Sequence, residues 1–134
     1  MAARFHFGLQ PLLDRRKRIE ETKQQAYAAR RRELDKHADQ MERLNAALAS
    51  AGTGSGPAAP LAYLDGAIRA QRRRIAELEG PLEHARQEVI AASRDRRVIE
   101  KLLERRRRAF EALRARREER DLDDANRALR LRSG

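Results

Sequence analysis

Residues 61–103 read LAYLDGAIRAQRRRIAELEGPLEHARQEVIAASRDRRVIEKLL, and the spacing within this stretch decides the fold. One seam is Leu61, Ile68, Ile75, Leu82, Val89, Arg96 and Leu103, continuing through Phe110, Arg117 and Asp124 to Leu131. Three residues on, a companion seam reads Leu64, Gln71, Leu78, Ala85, Ala92, Ile99 and Arg106, then Leu113, Arg120 and Arg127. A 3-4 repeat keeps one stripe of a helix turned toward a partner helix. Such a helix of about 70 residues would be about 105 Å long at 1.5 Å per residue. A compact fold of 134 residues cannot hide it.

Working outward, the stretch before it carries a second, shorter pattern. A first helix is expected from about 10 to 50, opening near Pro11, which is tolerated in a first turn because the N–H it lacks has no partner there. Its seam reads Leu12, Ile19 and Ala26, then shifts by one to Tyr27, Leu34, Met41 and Leu48, with Leu44 as a companion. The shift predicts a local adjustment of supercoil. Residues 51–60, rich in Gly and Pro, read as a flexible turn, and the second helix as about 61–128. Gly80-Pro81 interrupts that second helix, yet the heptad phase is the same on both sides. This predicts a kink near 80–81 without a chain reversal.

The expected fold class is all-α: one elongated unit over 1–134, a long antiparallel two-helix coiled-coil hairpin. With the turn centred near residue 55, residue i faces roughly residue 110 − i. The C-terminal helix then outruns the N-terminal one by about 25–30 residues, or about 40 Å. Phe110, Leu113, Leu122, Leu129 and Leu131 fall on that overhang, where the alignment offers them no partner from the first helix. An apolar stripe exposed among charges marks a binding surface.

Composition agrees with an extended helical protein. Charged residues make up 39% of the chain and aromatic ones 4%, with no Trp; this is coiled-coil composition. The absence of Cys excludes disulfide and thiolate chemistry. No stretch reaches the length of a membrane span, and the basic start, with Phe5, Phe7, Leu9, Leu12 and Leu13, lacks the features of a secretory signal. The net charge is +10, with the surplus toward the two ends of the chain. Basic ends imply an acidic protein, a nucleic acid or an anionic membrane as partner.

Catalytic constellations are missing. His6, His37 and His84 lack a second ligand at helical spacing, which argues against a metal site, and His37 reads as a residue at the edge of the seam. The glycines at 52, 54 and 56 lead into Pro57, not into a phosphate loop. The expectation is a non-enzymatic protein with no cofactor. Arg-rich runs at 15–18, 30–32, 72–74 and 105–108 could touch phosphates, but consecutive residues project about 100° apart on a helix. Each run therefore wraps the helix instead of forming one stripe, and specific nucleic-acid binding is not expected.

Both ends carry a family pattern. Phe5-His-Phe-Gly-Leu-Gln-Pro-Leu-Leu-Asp-Arg15 resembles the Phe-x-Phe-x-Leu-x-x-Leu-Leu-x-x-Arg opening of the flagellar export FliJ family. Asp121-Leu-Asp-Asp-Ala125 resembles that family's Leu-Asp-Glu-x-Ala-like ending, with Asp124 for Glu and the Ala one place early. The resemblance implies a soluble component of the flagellar type III export apparatus, cytoplasmic and peripheral to the inner membrane without insertion into it. It further implies a rod similar to the central stalk of rotary ATPases. Such a stalk enters and promotes the export ATPase ring, contacts the export-gate membrane protein FlhA and escorts export chaperones. Related injectisome stalk proteins share the architecture.

On this reading Phe5, Phe7, Leu9, Leu12 and Leu13 pack near the base of the overhang, either capping the seam or meeting the ring. Arg105, Arg106, Arg107, Arg108, Phe110 and Leu113 touch the ring's inner surface. Tyr27, Met41 and Tyr63 are candidates for the gate, although Tyr27 and Met41 also fit the seam. Two other readings stay open: a homo-oligomeric structural coiled coil, and a basic rod that binds nucleic acid.

Overall fold

A computed structural model of the chain describes residues 4–53 and 61–133. Two long helices account for nearly all of it: α1, Gln10–Thr53, and α2, Leu61–Ser133. The expected turn at 51–60 is therefore shortened, because α1 continues to Thr53, and its remainder, 54–60, lies outside the described residues. The helices divide by their contacts into two units, each drawing a segment from both: residues 4–17 with 94–133, and residues 18–53 with 61–93.

The second of these units holds a regular helix pair. Leu64, Ile68, Leu78, Ala85 and Ala92 are buried, and Gln71, Ile75, Leu82 and Val89 are half-buried between them. Over 61–93 the 3-4 repeat seen in the sequence is thus the contact stripe of α2, except at Leu61, which is 59% exposed. From α1 the half-buried positions include Glu20, Lys23, Tyr27, Leu34, His37, Met41, Leu44 and Leu48. Cross-helix pairs set the direction: Lys23 with Glu88, Glu33 with Arg74, and His37 with Gln71. As numbers rise along α1 they fall along α2, so the segments are antiparallel, with partners about one to three residues from those the spacing predicts.

Ahead of the expected shift of register in α1, Leu12 and Ile19 are half-buried, but they flank a phase that needs no shift. Ala26 is exposed, and the stripe keeps one heptad phase through Leu13, Glu20, Tyr27, Leu34, Met41 and Leu48. The apolar letters at Leu12 and Ile19 suggested a neighbouring phase. The true phase admits polar side chains there because Lys23 reaches Glu88 at 3.0 Å, keeping its charge satisfied at the seam's edge while its stem covers apolar surface.

Pro81 lies inside α2, and the helix continues through Gly80 and Pro81. Pro supplies no N–H for the carbonyl one turn back, at a typical cost of about 3 kcal/mol in a helix interior. Burying an aliphatic side chain contributes about 1.5–3 kcal/mol. Leu78 and Ala85, on either side of the proline, are both buried, so packing holds the helix in register past it.

Candidate partner-binding unit

The unit formed by residues 4–17 and 94–133 contains most of the positions with functional promise. Its entry is a non-helical arm, residues 4–7, followed by a turn in which the Gln10 N–H donates to the Phe7 carbonyl at 3.0 Å. The Leu13 N–H donates to Leu9, also at 3.0 Å, starting the regular bonding of α1. The reversal lays both Phe rings of the arm against α2. Phe5 meets Phe110 with ring centroids 5.6 Å apart and planes tilted by 58°, a favourable arrangement for aromatic quadrupoles. The Arg106 guanidinium sits 5.5 Å from the Phe7 ring centroid, and that of Arg107 sits 5.5 Å from that of Phe5. Cation–π contacts of this kind contribute about 0.5–1 kcal/mol at exposed sites.

Phe7 is buried, Leu13 is only 1% exposed, and Phe5, Leu9 and Leu12 are half-buried. Within this unit the Phe/Leu cluster thus packs the arm and the start of α1 against α2 as a cap. Phe110, expected to lack an intramolecular partner, is instead half-buried against Phe5. The alignment of the two helices could not show this, because the partner comes from the non-helical arm ahead of α1. A cross-helix ion pair joins the two helices in this unit, with Arg16 and Asp95 3.2 Å apart. Arg96 reaches Glu100 at 2.6 Å along α2.

The arginine run at 105–108 is divided by this geometry. Arg106 and Arg107 lie over the arm's rings, Arg108 is 3.5 Å from Glu104, and Arg105 faces solvent with no ion pair among the described residues. Past Glu111, every described residue is exposed through Ser133. Leu113 is 54% exposed, and Leu122, Leu129 and Leu131 are more so. A shallow groove beside the cap is floored by Leu13 and Leu103 and rimmed by Lys17, Arg97, Glu100, Lys101, Glu104 and Arg107.

The candidate gate residues lie in the other unit. Tyr27 and Met41 are half-buried in the seam, while Tyr63 is 68% exposed. His37 is half-buried with its Nδ1 2.8 Å from the Gln71 side-chain oxygen, and His84 Nε2 is 3.0 Å from Glu88. Among the described residues no three His, Cys, Asp or Glu side chains gather as a metal would require.

Charge is distributed unevenly. The 4–17 and 94–133 unit holds 19 basic and 10 acidic residues; the other holds 12 and 11. Within the first, residues 4–17 and 94–110 carry 12 basic and 4 acidic, while 111–133 carry 7 and 6. Two segments far apart in the chain thus form one strongly basic region beneath a nearly neutral exposed helix. Sequence reading located the surplus at the chain's ends but missed the arm's hold on Arg106 and Arg107. The signal available for it was the Phe5-x-Phe7 spacing ahead of Pro11, which places two rings on one side of an extended segment.

The family profile described as "Flagellar FliJ protein" matches residues 5–134. The chain belongs to the flagellar FliJ protein family. That assignment makes it a component of flagellar export, in a family that is non-enzymatic. No curated protein and no solved structure matches the chain. The match begins at Phe5, so it includes the arm that caps α1 and α2. No helix among the described residues is long and apolar enough to cross a membrane.

Proposed function

We propose that this FliJ-family chain is an antiparallel helical hairpin, α2 outrunning α1, that acts as the central stalk of the flagellar export ATPase. It binds and promotes the ATPase ring from the cytoplasm, at the inner face of the cell membrane, and connects it to the export gate FlhA and to export chaperones. The observation that carries this reading is the exposed helix at 111–133, rising from a capped and strongly basic region. A free helical end with Leu113, Leu122 and Leu129 outward can enter a ring, and the basic region below can meet acidic subunit surfaces. An asymmetric rod contacts the subunits of a symmetric ring unequally, so it biases their conformations by differential binding. Arg105, Arg108 and Leu113 are then ring contacts. Phe5, Phe7, Leu9, Leu12, Leu13 and Phe110 hold the base in shape, and Arg106 and Arg107 do both. For the gate, Tyr63 is the exposed candidate, whereas Tyr27 and Met41 act through the seam.

The test is ATP hydrolysis by the export ATPase of the same organism, with the full chain and with a chain ending at Glu111. That cut removes the exposed helix and spares Phe110 and its clasp. Stimulation by the full chain that disappears on truncation supports the stalk. Equal stimulation by both forms, or by neither, overturns it.

A further inference from the structure

The arginine run at 105–108 wraps α2 one residue at a time, but two of its members line up with three cations before it. At 100° per residue, Arg94, Arg97, Lys101, Arg105 and Arg108 fall within about 80° of one another, on the side opposite Ala92, Ile99 and Leu103. All five are exposed, and they span about 21 Å of helix. Arg94, Lys101 and Arg105 form no ion pair among the described residues, and Arg108 shares a carboxylate with the solvent-facing Glu104. Beyond Arg108 the same face turns to Ala112, Ala115, Glu119 and Asp123, so the stripe has a definite end. Val98, 64% exposed, borders it.

We infer that this stripe is a docking surface for an acidic helical face of a protein partner. Its spacing of three, four, four and three residues is that of side chains along one face of a helix. Carboxylates repeated the same way on a partner helix meet the cations one for one. Val98 adds an apolar contact that a phosphate backbone could not use. Exposed pairs are individually weak, so specificity comes from the matched pattern. The inference deepens the stalk reading and rests on it only for the partner's identity: an acidic surface of the ATPase ring, met outside the part that holds the exposed tip.

The experiment uses the full chain and a fluorescein-labelled helical peptide with Glu at positions i, i+3, i+7, i+11 and i+14 in an Ala/Gln background. Controls are a peptide of the same composition with its Glu residues scattered around the helix, and a single-stranded DNA oligonucleotide. One variant carries Arg94→Glu, Lys101→Glu and Arg105→Glu; a second, with the same charge change, carries Arg127→Glu, Arg130→Glu and Arg132→Glu. All six residues are exposed, and circular dichroism confirms that each variant stays helical. At low salt the stripe variant binds the patterned peptide about tenfold or more weakly, and the tip variant within about twofold of the parent. The patterned peptide also outcompetes the scattered one.

Equal losses in both variants would reduce the effect to net charge and overturn the inference. So would equal binding of the two peptides, or stripe-dependent preference for DNA. The ATPase separates the two readings. Stimulation that needs the tip but ignores the stripe leaves the stalk standing and removes the stripe as a ring contact. Stripe-dependent peptide binding without any response of the ATPase keeps the docking surface and removes the stalk.

Discussion

The two units are built from the same two helices, yet they differ in what they leave exposed. In residues 18–53 and 61–93 the helices cover each other along a repeating seam, and charges nearly cancel at 12 basic against 11 acidic. In residues 4–17 and 94–133 the aromatic rings of the arm lie on α2, cations outnumber anions 19 to 10, and α2 is exposed past Phe110. A heptad repeat alone thus makes a scaffold. The surface proposed for binding lies where the repeat runs out and charged and apolar side chains are exposed.

Replacing Leu13, buried in the basic unit, offers the largest expected break in this comparison. Leu13→Ala should cost about 2–5 kcal/mol in chemical denaturation, whereas Leu113→Ala, on the exposed helix, should stay within about 0.5 kcal/mol. Similar losses from both would mean that the exposed helix is covered after all.

In the paired unit, Pro81→Ala should act in the other direction. It restores a backbone donor in mid-helix, and a gain of about 1–3 kcal/mol is expected. A loss would show that the proline's ring or the local bend is needed for packing between Leu78 and Ala85.

The cap itself is probed by Phe110→Ala, which removes the ring facing Phe5. An intermediate cost of about 1–2 kcal/mol is expected. Faster hydrogen exchange at the Gln10 amide, bonded to Phe7, should accompany it, with Tyr27 and its neighbours unaffected. Loss of protection in both units alike would contradict a locally built cap.

The smallest effect concerns pH. Lys23, donating a hydrogen bond to Glu88 from α1, holds that carboxyl below its ordinary value, with His84 adding to the same effect. Arg86 and Gln87 hold Glu83 down at about 2 from within α2. A depressed carboxylate contributes stability that is fully present above its unfolded pKa and lost as pH falls through the folded one. The paired unit should therefore loosen slightly below about pH 4.3, the ordinary value for Glu. In an NMR titration Lys23→Met should move Glu88 up toward that value and leave Glu83 in place. A Glu88 midpoint that ignored the substitution would contradict the cross-helix pair.

How far the site could be read from sequence follows the range of the forces involved. Leu64, Leu78 and Ala92 announce their burial because helical periodicity is a local property of the chain. Tyr27 is legible in the same way, but Leu13 is harder to place, since the polar Glu20 shares its stripe and masks the phase. Arg106 and Arg107 were recognised as basic, but nothing in their own neighbourhood told that two phenylalanines about 100 residues earlier would lie beneath them.

By itself, then, the sequence determined two helices, their antiparallel sense, the surplus of positive charge and the family, because each depends on spacing, composition or a short motif. Tertiary structure alone decided that Phe5 and Phe7 cap the pair, that Phe110 is occupied, and that residues 4–17 and 94–110 pool their charge. Those outcomes depend on which distant segment packs against which, and that choice is made by burial and charge pairing across space, not by order along the chain.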